Sequence, residues 1–228
     1  MVTTGAIQQA LAHRRASGET RAYPRASAPN TEPAATQTRS ANTLEPVASP
    51  PQFEGPGSYP AQVRAESQWR FSPLDEAAAA EICGWRYPEP YAEYDLGEGA
   101  IHTLLDPTNS YFGARDAEGA LVGFCCFGPE AQVPGGTYDD STLDVGLGLR
   151  PDLSGKGAGA AFAQAVLALG CDRFAAASFR VTIAAWNTRS LRMHEHLGFH
   201  RTSAFRRTTD NRKFIQMVEI ERAWATTS

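Results

Sequence analysis

Three glycines in five positions, Gly155, Gly157 and Gly159, surround Lys156 in the stretch LRPDLSGKGAGAAF, residues 149 to 162. A strand ending at Arg150, a glycine turn and a helix opening near residue 157 would gather free main-chain N–H groups and the positive end of a helix dipole at one point. That is the chemistry of an anion site, most naturally for phosphate. Behind it Ala158, Ala161, Phe162, Ala165, Val166 and Leu169 keep the i, i+3, i+4, i+7 spacing of a helix with one buried face, which would hold the site rigid. A P-loop needs Ser or Thr after Gly-Lys to reach Mg²⁺, and Lys156 is followed by Gly157. The dinucleotide fingerprint is met loosely by Gly155, Gly157 and Ala160, but the next strand ends in Trp186-Asn187 where an acid should meet the ribose. A glycine turn that holds no ligand stays open as the plain alternative.

A second group lies on the strand before the turn. In TLDVGLGL the apolar Leu143, Val145, Leu147 and Leu149 fall on one face, leaving Thr142, Asp144, Gly146 and Gly148 on the other. Two glycines on one strand face suggest that a ligand or another backbone lies against them, a bulge or helix-packing site being the alternative. Asp144 shares that face as either a solvated edge residue or a functional carboxylate.

The elements that must position these residues follow from punctuation. QWRF reads as a first strand, and SPLDEAAAAEICGW as a helix with Ser72 as N-cap and Pro73 at the first helical position. WRYPEPYAEYD reads as an ordered loop or a short helix. SYFGARD and LVGFCCFG form a hairpin with Gly119 at the turn, TLDVGLGLR is a third sheet element, and FRVTIAAW a strand. TRSLRMHEHLGF is a helix closed by Gly198, and a hairpin of FHRTSAFRR with KFIQMVEIE ends an α/β domain with a mixed sheet.

This domain begins near residue 66 and runs to 228. Residues 1–65 hold eight of the fifteen prolines and no Asp, without helical or strand period, so they read as a disordered Ala/Ser/Thr/Pro-rich tail. No apolar run approaches the length of a membrane span, and the expected location is the cytoplasm. The four cysteines, Cys83, Cys125, Cys126 and Cys171, lack metal or disulfide spacing and read as reduced core residues; no metal is expected. Within 66–222 there are 21 acidic against 15 basic side chains and no basic stripe, which argues against nucleic acid.

DVGLGLRPDLSGKGAGAAF followed by AAWNTRSLRMHEHLGF resembles the acetyl-CoA signature of the GNAT superfamily of N-acetyltransferases. The first stretch matches its strand, Arg/Gln-x-x-Gly-x-Gly/Ala loop and helix. The second matches its Asn-x-x-Ala/Ser junction ending in Gly-Phe, carried here by Asn187, Ser190, Gly198 and Phe199. The resemblance implies a mixed, mostly antiparallel central sheet flanked by helices, with a V-shaped splay between the central strands. It implies that Ser154, Gly155, Lys156, Gly157, Ala158 and Gly159 bind the CoA pyrophosphate, and that main-chain groups of Leu147 and Leu149 hold the pantetheine and the acetyl carbonyl. Asn187 and Ser190 would contact the pantetheine arm. Asp144 falls where the family often carries a base for the amine, and His194 where a tyrosine often protonates the departing thiolate.

Trp85, Tyr87, Tyr91 and Tyr94 are candidate walls of the acceptor pocket, packing being the alternative. Ser154 departs from the family's usual Arg or Gln. The expected reaction is transfer of acetyl from acetyl-CoA to a primary amine by direct attack in a ternary complex, with acetyl-CoA and the amine as partners and a homodimer as an open arrangement. The acid-rich half, 17 acidic against 7 basic side chains over residues 66–186, favours a cationic acceptor. A non-catalytic CoA-binding module and an enzyme for a longer acyl-CoA are the rivals.

Overall fold

The computed structural model describes residues 2–3 and 68–219. The expected tail lies outside the described residues except for Val2–Thr3, which form strand β1. The remaining strands are β2 (Arg70–Pro73), β3 (Tyr111–Arg115), β4 (Leu121–Phe127), β5 (Leu143–Leu149), β6 (Phe179–Ala184), β7 (Phe199–Arg206) and β8 (Lys213–Glu219). Helices α1 (Glu76–Gly84), α2 (Ile101–Leu105), α3 (Gly159–Phe174) and α4 (Thr188–His196) connect them.

The sheet runs β2-β3-β4-β5-β6-β8-β7. Every neighbouring pair along it is antiparallel except β5 and β6. That parallel pair is held at only two positions, Leu143 opposite Phe179 and Asp144 opposite Arg180, and then splays apart. Along the splayed edge β1 lies antiparallel to β5, Val2 opposite Gly148 and Thr3 opposite Leu147.

β4 is buried along its whole length because it is covered on both faces. Cys125 and Phe127 join the cluster under α3, while Phe124 and Cys126 join a second cluster under α1 and α2. Burial on two faces is why LVGFCCFG reads as a nearly unbroken apolar run rather than an alternating one. All four cysteines are buried, and the Cys171 thiol donates to the Ala176 carbonyl at 3.3 Å. Glycines set how closely the layers approach. A Cβ on Gly123 would stand 2.6 Å from the Phe162 ring of α3, and one on Gly170 would stand 2.6 Å from Phe179. Among the described residues no helix is long and apolar enough to cross a membrane.

Three sequence expectations are corrected. The first helix starts at Asp75 rather than Ser72: Asp75 Oδ1 accepts the Ala78 N–H at 2.7 Å, and Ser72 and Pro73 extend β2, opposite Gly113 and Phe112. A proline fits there because β2 is an edge strand, where a missing N–H leaves no ladder bond unmade. The buried face of α3 is rotated, with Ala163 and Leu167 inside and Ala161 exposed. The absent side chain of Gly148 serves packing, since a Cβ there would lie 2.6 Å from the Phe124 ring.

Candidate active site

β5 delivers the chain into a tight turn at Pro151–Leu153, where Leu153 N–H donates to Arg150 O and Ser154 N–H to Pro151 O. Gly155 and Gly157 then take φ of +84° and +93°, a region that side-chain-bearing residues reach only with strain. These two reversals bring the chain to the start of α3. Ala158 occupies the cap position and supplies no side-chain hydrogen bond, and Phe162 N–H to Ala158 O opens the helical ladder. The amides of the first turn precede that ladder, so this end of α3 presents donors and the positive dipole end without a cap to satisfy them.

The second half of the site is the start of α4, facing the same end of the splay. Asn187 caps it: its Oδ1 accepts Ser190 N–H at 3.2 Å, while its Nδ2 donates to the Tyr94 hydroxyl at 3.1 Å. Ser190 is fully buried, and its Oγ has no hydrogen-bond partner. One turn on, His194 is 1% exposed, with Nδ1 3.0 Å from the Ser190 carbonyl and the ring edge-on to Phe199 at 5.2 Å. A carbonyl can only accept, so Nδ1 carries the proton and Nε2 is the acceptor end. Burial pushes the pKa of His194 down to about 4, against the smaller upward pull of the Ser190 bond. The neutral ring has no spare proton to give.

Asp144, 3% exposed, is bound on both oxygens. Arg180 Nε donates to Oδ1 at 2.7 Å, Arg180 Nη2 to Oδ2 at 2.9 Å, and Gln132 Nε2 to Oδ2 at 2.9 Å. Arg180, 4% exposed, also donates to the Asp139 carbonyl and lies over the Tyr138 ring at 4.9 Å. The fork-on-fork pair, directly opposite in the β5–β6 register, fastens the two strands at the point from which they diverge. Sequence reading missed Arg180. Its signal was an arginine inside an otherwise apolar strand, FRVTIAAW, for which a buried acid on the neighbouring strand is the expected partner.

The aromatic residues divide. Trp85, Tyr87 and Tyr94 are buried, with Trp85 packed against Phe124. Tyr87 donates its hydroxyl to the Leu149 carbonyl at 2.8 Å, bracing the end of β5, and burial raises its phenol pKa far above the usual value. Tyr94 stacks on Trp186 at 5.6 Å. Only Tyr91 of the four is half-exposed; it meets Trp186 at 5.4 Å and carries the Arg189 guanidinium over its ring at 4.5 Å. Trp186, not singled out from sequence, completes this surface next to Asn187.

A sheet that splays beside an uncapped helix, with an Asn-capped helix facing it, is therefore the arrangement that residues 142–199 build. A family model for the acetyltransferase (GNAT) domain matches residues 60–200 of the chain. The chain belongs to the GNAT superfamily. Solved GNAT-type structures share the fold. A chimeric spermidine N-acetyltransferase from Vibrio cholerae and a second parent is 18% identical over 68% of this chain and 96% of that one, with a TM-score of 0.51. A GNAT-family acetyltransferase from Bacillus anthracis is 17% identical over 68% and 95%, with a TM-score of 0.53. AAC(6')-Ib in complex with ribostamycin and coenzyme A is 18% identical over 71% and 99%, with a TM-score of 0.55. No curated protein matches the chain. As a GNAT member it is an acyltransferase whose donor is acetyl-CoA.

Proposed function

We propose that this GNAT enzyme transfers acetyl from acetyl-CoA to a primary amine of a cationic acceptor, a small molecule or a peptide, by direct attack in a ternary complex. The observation that carries the reading is the uncapped N-terminus of α3, set behind two positive-φ glycines at the end of β5. The pyrophosphate rests on the turn from Ser154 to Gly159. The pantetheine lies in the splay along Leu147 and Leu149, in place of β1, with its thioester near Asn187 and Ser190. The amine nitrogen bonds to the thioester carbon, the C–S bond breaks, and main-chain donors hold the oxyanion between; losing one such donor costs on the order of 3 kcal/mol.

Asp144 and His194 act in this scheme as positioning residues. Asp144 ties β5 to β6, and His194 holds the first turn of α4 through the Ser190 carbonyl. The amine enters as the free base after losing its proton to solvent, and the thiolate takes its proton from solvent. Tyr91 and Trp186 form the acceptor-side aromatic surface. Their setting in the acid-rich half of the chain favours a cation, as do the spermidine enzyme and the ribostamycin complex among the fold's relatives. The Phe124 ring fills the space beside Gly148 that a longer acyl chain would need, which favours acetyl. The cytoplasm, where acetyl-CoA is available, is the location the reading implies, and a homodimer is compatible with it.

Thiol release with acetyl-CoA and a panel of spermidine, ribostamycin and short peptides tests the reading. Turnover is expected with at least one cationic amine, and slower turnover with longer acyl-CoA donors. Binding of acetyl-CoA without turnover on any amine would favour a CoA-binding module instead.

A further inference from the structure

Ser154 stands where the superfamily's loop usually opens with Arg or Gln, so the turn offers a pyrophosphate no long side chain of its own at that position. Three cations lie near enough in the fold to replace it. Arg150 is committed elsewhere: its Nε and Nη2 donate to the two carboxylate oxygens of Asp152 at 2.7 and 3.2 Å, and its Nη1 to the Leu121 carbonyl. Lys156 is exposed at the tip of the turn, on a flexible stem.

Arg189 is different. It comes from the first turn of α4 and reaches across to the glycine turn, where its Nη2 donates to Ser154 Oγ at 3.1 Å. Its Nη1 lies 2.9 Å from the place a Cβ on Gly155 would occupy, so the guanidinium covers the face that this glycine leaves bare. The Tyr91 ring supports its other side at 4.5 Å. Arg189 Nε is buried without a hydrogen-bond partner. Among the described residues no carboxylate pairs with this guanidinium. A half-buried cation with no counter-ion among the described residues, fixed by stacking and one tether against a positive-φ glycine turn, is a prepared half of an ion pair whose other half is an anion.

Resting on the donor-site reading above, we infer that Arg189 is the pyrophosphate clamp of this enzyme. Its guanidinium is supplied from α4 in place of the arginine that the loop lacks, with Ser154 as tether and Tyr91 as rest. Planar N–H pairs suit phosphate oxygens, and the stacked ring limits the rotamers that must be frozen on binding. The clamp also links donor to acceptor, because Tyr91 touches both the guanidinium and Trp186.

Calorimetric titration of the full chain with CoA, 3′-dephospho-CoA and pantetheine tests this, for wild type, Arg189→Gln and Arg189→Gln/Ser154→Arg. Arg189→Gln should raise Kd about 10- to 100-fold for CoA and for dephospho-CoA, the scale of a lost charge-assisted contact, while the pantetheine Kd stays unchanged. Adding Ser154→Arg should restore most of the lost affinity by returning a guanidinium to the loop. Equal weakening for all three ligands would make Arg189 a mere packing element and overturn the inference, as would no weakening at all. Loss confined to CoA, with dephospho-CoA spared, would move Arg189 to the 3′-phosphate and overturn the pyrophosphate assignment. If wild type bound none of the three, the donor-site reading itself would fall, a result separate from any behaviour of the variant.

Discussion

Asp144→Asn should destabilise the enzyme by about 3–5 kcal/mol, the cost of leaving a buried charge unpaired. The carboxylate accepts from both ends of the Arg180 fork and from Gln132, and almost none of the ion pair is open to water. An amide at 144 keeps one acceptor but turns its NH₂ toward a donor, and Arg180 stays charged in the interior. Thermal melts should fall by about 10 °C at this chain length. The double variant Asp144→Asn/Arg180→Gln should recover part of that loss, because it removes the stranded cation together with its partner. A catalytic base would behave differently: Asp144→Asn would keep the wild-type melt, lose kcat, and lose the limb of the pH–rate profile that belongs to the base. Melts and pH profiles of the three proteins decide between these outcomes.

His194 carries the second large effect, and its sign follows from burial. Unfolded, the imidazole titrates near ~6.5; folded, it stays neutral until about pH 4. Between these values the unfolded chain holds one proton more than the native one, so stability from this group is complete above pH 6.5 and drains away as pH falls toward 4. The loss is about 1.4 kcal/mol per pH unit, or about 3 kcal/mol over the window. Denaturant unfolding of wild type and His194→Leu at several pH values should show the variant's curve shallower by that one-proton slope, whatever its stability at pH 7.5. Parallel curves would contradict the buried-neutral assignment. In the same window kcat should show no histidine limb, since a ring with Nδ1–H on the Ser190 carbonyl has no second proton to donate.

The strands and helices were legible where hydrophobic period and punctuation agreed. Gly119 at the hairpin turn and Gly198 after α4 take the positive φ that their positions suggested, +86° and +96°. The first helix was misplaced by three residues because Ser72-Pro73 is as good a start signal as Asp75, and only pairing with β3 shows that the chain is still extended there. At the site, the glycine turn and the Asn187 cap are local features, and local sequence displays them. Asp144 is not local. A strand pattern gives the face on which a carboxylate sits, but not that Arg180, 36 positions away, arrives opposite it with both donors. The same limit hid Arg189, which sits between Asn187 and Ser190 in the sequence, although the glycine beneath it is part of the loop that the sequence makes most conspicuous.

Hydrogen exchange of the full chain with and without CoA reports on the donor site at the glycine turn itself. CoA should slow exchange over residues 154–162 and along Leu147–Leu149, while α1 and α2 on the other face of the sheet exchange as before. Exchange at the glycine turn that saturating CoA leaves unchanged would contradict the donor-site reading.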